Sequence, residues 1–360
     1  MKEKILSDAA VERLLAWYRE NRRDLPWRHT RDPYCIWISE IMLQQTRVEA
    51  VKPYYAHFME ALPTVEDLAS VPEERLLKLW EGLGYYSRAR NLKRAAIQVT
   101  EQYGGKLPNA YSELQKLCGI GDYTAGAIAS IAFGERVPAI DGNVLRVLAR
   151  VMGSYEDIAL PQTKKAWREA LISSVPESAG DFTQAMIELG ATVCVPNGEA
   201  KCAQCPLSQV CVSHMKHLTD EIPVRSAKKP RRIQPLTVFV IADGNRTVLR
   251  RRPAQGLLAG LYELPNAEGH LDEAEATKFL RSIGFDPLRL IKIDDSKHIF
   301  THVEWHMQAY AVRIAPDFDG EDLQNEYRLI ENEDLRANYA VPSAFSAYGK
   351  YLDGTSPEER

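Results

Sequence analysis

Cys194, Cys202, Cys205 and Cys211 fall within 18 residues, in CVPNGEAKCAQCPLSQVC, with gaps of 7, 2 and 5 residues. The N-terminal stretch MKEKILSDAAVERLLAWYRE alternates charged and apolar residues and lacks the apolar core of an export signal. Thiols so close together in such a chain are expected to hold a metal rather than to pair as disulfides. Zinc and an iron–sulfur cluster both accept four thiolates, and both stay open on these residues. Zinc ribbons and fingers pair two short Cys-x-x-Cys knuckles where this chain has one, so the spacing favours the cluster. Cys35 and Cys118 stand apart and read as small core residues.

Two carboxylates sit where acid–base chemistry could be done. Glu40, in PYCIWISEIMLQQT, shares a helical stripe with Ile36, Trp37 and Leu43. Desolvation there raises a carboxyl pKa. Protonating an ordinary Glu at neutral pH costs about 3.7 kcal/mol, and a general acid needs a site that removes most of that cost. The plain alternative is a glutamate at the edge of a core helix. Asp141, in VPAIDGNVLRVLAR, follows four apolar residues and precedes a helix. That is also the position of an N-cap worth about 1 kcal/mol.

The stretch LCGIGDYTAGAIASIAF joins a Gly-x-Gly turn, Gly119 and Gly121, to a run of small and apolar residues. A dinucleotide-binding reading fails, because a helix-like segment precedes the turn and Thr124 stands where that motif needs a third glycine. Helix, short hairpin and helix leave backbone N–H groups at a helix N-terminus, an anion site suited to one DNA phosphate. A glycine-closed turn between two packed helices is the structural alternative.

The elements that must position these residues are helices as far as about Met215, many of them ending at Gly. Asp32-Pro33 supplies a cap and a first-turn proline. Composition then shifts. RSAKKPRRIQP carries five basic residues between Arg225 and Arg232 among prolines and reads as a linker. Beyond it, PLTVFVIADGNRTVLRRR reads as two strands around a Gly-Asn turn, LDEAEATKFLRSIGF as an amphipathic helix, and HVEWHMQAYAVRI as an alternating strand. The expectation is a multidomain chain: an all-α domain over 1–216, a basic linker over 217–234, an α+β domain over 235–352 and a tail over 353–360. Apolar content of 45%, charged content of 26% and a formal net charge of −4 suit a soluble globular protein and exclude collagen-like or disordered classes. No apolar run is long enough for a membrane span.

Taken together, LPWRHTRDPYCIWISEIMLQQTRV, WEGLGYYSRARNL, GIGDYTAGAI, AIDGNVLRVLAR, FTQAMIELGATVC, the four cysteines, GLLAGLYELP and HIFTHVEW resemble the helix–hairpin–helix DNA glycosylase superfamily. The match is closer still to the adenine DNA glycosylases of the MutY type. The resemblance implies a base excision enzyme that flips adenine out of duplex DNA opposite 8-oxoguanine or guanine and hydrolyses its N-glycosidic bond. By the same matching, Glu40 protonates N7 of adenine and helps activate water. Asp141 stays ionised against the oxocarbenium-like sugar.

Tyr123 occupies the position of the lysine that forms a Schiff base in the endonuclease III type. The resemblance therefore implies no lyase activity, with Tyr123 and Asn143 supporting the two carboxylates. It assigns Trp27, Arg28, Leu43 and Gln184 to the adenine pocket, Gln45 and Tyr85 to wedges in the helix, and Thr46 and Leu83 to the neighbourhood of 8-oxoguanine. Gly119 and Gly121 bind phosphate. The resemblance also implies that the four cysteines hold a [4Fe–4S] cluster, shaping a loop whose Lys201 grips phosphate.

The second domain resembles the Nudix fold, yet Thr277-Lys278 and Arg281-Ser282 stand where its metal-binding carboxylates belong. It is expected to recognise rather than hydrolyse, with Phe300, Thr301 and His302 touching 8-oxoguanine. The implied partner is duplex DNA holding A:8-oxoguanine or A:G mispairs, and the implied state is a cytoplasmic, bacterial-type, nucleoid-associated monomer away from membranes. The rivals are a bifunctional pyrimidine glycosylase/lyase, a non-catalytic DNA-binding scaffold and a nucleotide hydrolase. The chain departs from the family pattern in its first cysteine gap, 7 rather than 6, and at Cys118, Asp122, Tyr262 and Thr301.

Overall fold

The start of the helix that carries Glu40 is set by local chemistry. Asp32 accepts the N–H of Tyr34 at 2.8 Å and Pro33 takes the first helical position, so the Pro33–Leu43 helix begins there. A computed structural model of the chain describes residues 4–227, 230–243, 245–315 and 326–352. Its helices run α1 Asp8–Asn21, α2 Pro33–Leu43, α3 Val48–Ala61, α4 Val65–Ser70, α5 Glu73–Leu79, α6 Ser87–Tyr103 and α7 Tyr111–Leu114. They continue as α8 Asp122–Phe133, α9 Gly142–Met152, α10 Pro161–Leu171, α11 Ala179–Thr192 and α12 Val212–Met215. Strands β1 Arg232–Ala242, β2 Arg246–Arg251, β3 Tyr262–Glu263 and β4 Asn266–Glu268 precede α13 Glu273–Ser282. Strands β5 Arg289–Ile299, β6 Val303–Arg313 and β7 Tyr327–Glu331 then lead to α14 Asn332–Asn338.

The chain divides into two units, one over Met1–Ser70 and Arg90–Ala227, the other over Val71–Ala89 and Lys228–Arg360. In the helical unit α1, α9 and α11 enclose a core that includes Leu14, Tyr18, Val147, Leu148, Phe182 and Met186. Glycines let its helices approach closely. A Cβ on Gly126 of α8 would lie 2.7 Å from the Pro138 carbonyl, and one on Gly190 of α11 would lie 2.6 Å from the Asn143 Cβ. Both helices are thereby drawn against the segment that carries Asp141.

In the second unit the described strands form one sheet in the order β3-β2-β1-β6-β5, with β4 also on β1 and β7 on β2. The β1–β6 pair is parallel and the other pairs are antiparallel. Period-two alternation along β1 serves both faces. Leu236, Val238 and Val240 pack with Trp305 and Met307, while Phe239 and Ile241 pack with Ala276 and Leu280 of α13. Among the described residues no helix is long and apolar enough to cross a membrane.

The boundaries differ from those expected from composition. The helical unit extends to Ala227, past the expected boundary at 216, with Ile222 buried and Ile158 donating to the Val224 carbonyl at 3.1 Å. Residues 71–89 belong to the second unit. Lys78 donates there to the Tyr339 carbonyl at 3.0 Å, and Glu81 accepts the Val341 N–H at 2.8 Å. Strand β1 begins at Arg232, inside the expected linker. Lys228 and Lys229 of the basic run, Gly244 of the expected Gly-Asn turn and the tail over 353–360 lie outside the described residues.

Candidate active site

Helix α2 is buried on nearly all sides, so its one carboxylate goes into the interior with it. Glu40 is 7% exposed, and α2 packs against α8, which brings in Tyr123 from the first turn. The Tyr123 hydroxyl donates to Glu40 Oε2 at 2.6 Å. Burial pushes the Glu40 pKa up to about 7, against the phenol's hydrogen bond and the Arg28 charge, which lower it, and with the Asp141 charge, which raises it. Burial also lifts the Tyr123 phenol well above its ordinary value, so it remains a proton donor to Glu40.

Asp141 is the N-cap of α9. Its Oδ1 accepts the Val144 N–H at 2.8 Å, and its Oδ2 accepts the Asn143 side-chain amide at 2.7 Å. Burial moves its pKa up, while these hydrogen bonds and Arg146 oppose the shift. Capping and facing the site are therefore the same geometry. Arg146 supports it from behind, donating to Asn143 Oδ1 at 2.9 Å, to the Gly190 carbonyl at 2.7 Å and to the Cys194 carbonyl at 2.7 Å.

Both carboxylates open into one cleft of about 680 Å³. Tyr123, Asn143, Trp27, Arg28, Leu43, Gln184, Gln45, Thr46 and Gly121 also line it. Such a volume lies in the range of small-molecule sites and is ample for a nucleoside. Gln45 holds a left-handed backbone conformation, φ 59°, at the end of α2.

Sequence reading missed Glu188, a fully buried residue behind the cleft wall. It accepts Arg23 Nε at 2.8 Å and Nη2 at 2.9 Å, the Arg23 N–H at 3.0 Å and Arg28 Nη2 at 2.7 Å. Burial alone would raise its pKa, but the two guanidinium groups prevail and hold it at about 2. Arg28 also lies 5.5 Å from the Tyr18 ring centre. Glu188 follows Gln184 by one helical turn in FTQAMIELG, and that charge within an apolar face was the available signal.

The glycine turn precedes α8 as a tight hairpin after α7. Gly119 has φ 76°, and a Cβ there would come 2.6 Å from the Asn91 Cβ, so this position requires glycine. At the start of α8 the first N–H groups have no carbonyl one turn earlier. Gly119 does not line the cleft, whereas Gly121 does.

Residues 38–176 match the model of the HhH-GPD superfamily of base excision DNA repair proteins, and residues 237–350 match the NUDIX domain model. The adenine DNA glycosylase of Homo sapiens is 35% identical, over 96% of this chain and 74% of its own length. That of Mus musculus is 35% identical over 84% and 70%. The chain belongs to the adenine DNA glycosylase family. The adenine DNA glycosylase of Buchnera aphidicola from Acyrthosiphon pisum is 32% identical over 84% of this chain and 85% of its own length. Among solved structures, a thermostable thymine-DNA glycosylase is similar with a TM-score of 0.53 and 34% identity, over 57% of this chain and 95% of its own. The fold is thus a helical HhH-GPD domain followed by a Nudix-like domain.

In this member of the family the four clustered cysteines line one small cavity together with Arg150 and His214. All four thiols are free of disulfides. Arg150 Nη1 donates to Cys194 Sγ at 3.3 Å, and the Cys211 thiol donates to the Arg150 carbonyl at 3.3 Å. Burial pushes the Cys205 thiol up to about 12. Among the described residues no three His, Cys, Asp or Glu side chains converge on one metal ion. Four free thiols around one cavity are a donor set that an iron–sulfur cluster or a zinc ion accepts.

The remaining expected site residues belong to the second unit. The Tyr85 hydroxyl lies 3.1 Å from Thr301 Oγ1, and Tyr85 is exposed with φ 47°. Leu83 is buried, and Arg88 donates to its carbonyl at 2.9 Å. Phe300 packs edge-on to Trp305, with ring centres 4.8 Å apart, while Thr301 and His302 are exposed. On α13, Thr277 donates to the Glu273 carbonyl and Arg281 pairs with Asp286.

Proposed function

We propose that this chain removes adenine from duplex DNA, opposite 8-oxoguanine or guanine, by hydrolysing the N-glycosidic bond. The observation that carries the reading is Glu40, a buried carboxyl held near pKa 7 that opens into a cleft beside Asp141. At neutral pH a large share of Glu40 is protonated, and that proton can pass to adenine N7, leaving the carboxylate and making the base a better leaving group. The N–H of α9 and the Asn143 amide favour the ionised form of Asp141 against its burial, and that charge would oppose the positive charge that develops on the sugar. Trp27, Arg28, Leu43 and Gln184 form the walls that take the flipped base. Gln45 and Tyr85 fill the gap it leaves, and Thr46, Leu83 and the Phe300-Thr301-His302 loop attend the opposite base.

The reading includes no strand cleavage, because the Tyr123 phenol has no amine with which to form a Schiff base and is already committed to Glu40. Cys194, Cys202, Cys205 and Cys211 would hold a [4Fe–4S] cluster that fixes the loop carrying Lys201 against phosphate. The Nudix-like domain recognises, since α13 offers Thr277, Lys278, Arg281 and Ser282 in place of metal-binding carboxylates. The protein acts as a monomer on DNA. The test is a duplex with one adenine opposite 8-oxoguanine. The expected product is an intact strand that breaks at that adenine only after alkali. Breakage without alkali, or an enzyme–DNA adduct trapped by borohydride, would support the bifunctional rival. Iron with a broad visible absorption band is expected in the purified protein, and zinc in its place would contradict the cluster.

A further inference from the structure

Asp122 is the first residue of α8, directly after Gly121, and it brings a negative charge to a hairpin that is read as a phosphate cradle. Its carboxylate is gripped from two other helical segments. Oδ2 pairs with the Arg168 guanidinium of α10. Oδ1 accepts the Gln115 amide at 2.5 Å and the Tyr111 hydroxyl at 3.2 Å. Arg168 Nη1 donates in turn to that hydroxyl at 2.7 Å, and its guanidinium carbon stands 5.9 Å from the Tyr111 ring centre. Among the described residues no backbone N–H of the hairpin donates to Asp122. The carboxylate is 61% exposed and Arg168 is 20% exposed.

A free carboxylate at the first turn of a helix is drawn to the unsatisfied N–H groups and the positive end of the helix dipole. Those are the groups a DNA phosphate would use. We propose that Arg168, with Tyr111 and Gln115, holds the Asp122 carboxylate away from the hairpin N–H groups and so sets the affinity of this chain for the DNA backbone. Arg168 is then a positioning residue that acts through Asp122. The proposal rests on the reading of Gly119–Gly121 as a phosphate site.

The test is a double-mutant cycle on the full chain, read as the Kd for a labelled undamaged duplex at several salt concentrations. Arg168→Gln is expected to weaken binding roughly 3- to 10-fold, as a released like charge beside one phosphate contact would. In the Asp122→Asn background the same change is expected to alter Kd by less than about twofold, because the carboxylate it restrains is gone. Arg168→Lys, which keeps the charge, is expected to stay within about twofold of the unmutated protein. If Arg168→Gln does not fold, Tyr111→Phe takes its place in the cycle. Equal losses in both backgrounds, or no loss in either, overturn the proposal, since Arg168 would then touch DNA itself or serve only the fold. Absence of salt-dependent duplex binding by the unmutated protein overturns the phosphate reading as well.

Discussion

The Tyr123 hydroxyl donates a 2.6 Å hydrogen bond to Glu40 Oε2, from the first turn of α8 to the buried face of α2. The phenol stabilises the ionised carboxylate against a burial that favours the acid. Removing the hydroxyl in Tyr123→Phe should therefore raise the Glu40 pKa. The basic limb of the single-turnover rate profile, which falls as the acid is lost near pH 7, should move up by about 1 unit. A limb that stays in place or moves down would dissociate Glu40 from that titration.

Glu40→Gln should lower adenine excision by at least about 10²-fold, since the amide has no proton to transfer. The same substitution should stabilise the fold. Glu40 is raised from its ordinary value to about 7, so the folded state binds more protons than the unfolded one between about pH 4.5 and 7. Stability is lost as pH rises through that window, by about 3 kcal/mol above it. Thermal unfolding at pH 5 and pH 8 should show the variant gaining on the unmutated protein only at the higher pH.

Glu188 carries the opposite sign. Its folded pKa of about 2 lies below the ordinary carboxyl value, so its contribution is complete above that value and disappears as pH falls towards 2. Glu188→Gln leaves Arg23 and Arg28 without their counter-charge and should cost about 3–5 kcal/mol at pH 7. Denaturant unfolding should show that loss shrinking as pH falls below 4.5. It should also raise the KM for DNA, because Arg28 lines the cleft.

Gly190→Ala tests the close approach of α11 to α9. Its Cβ would meet the Asn143 Cβ at 2.6 Å, and Asn143 holds Asp141. A cost of about 1–3 kcal/mol in thermal stability is expected. Excision should fall further than that stability loss explains, because Asp141 loses its amide donor.

Much of this architecture is legible in the sequence, for reasons visible in single elements. The cap-proline pair Asp32-Pro33, the alternation in β6 and the capped helix Glu273–Ser282 are local signals, and each marks an element. Strands β3 and β4 have 2 and 3 residues, too few to show a period. Strand β5 mixes Lys292, Asp294, Asp295 and Lys297 into a sheet edge and is broken by a bulge between Ile293 and Ser296, which erases its alternation. Residues 71–89 join the second unit through contacts about 260 positions away in sequence, such as Lys78 with Tyr339, which no local pattern announces. Within the site, Glu40 and Asp141 stand out because a carboxylate in an apolar setting is locally odd. The buried ion pair behind the cleft does not. The Arg23–Glu188 pair spans 165 positions.

The most direct measurement is release of free adenine in a single turnover from a duplex with adenine opposite 8-oxoguanine, compared between the unmutated protein and Glu40→Gln. The account predicts free adenine and an unbroken strand from the first and almost none from the second. Equal release by both proteins, or no release by either, would contradict it.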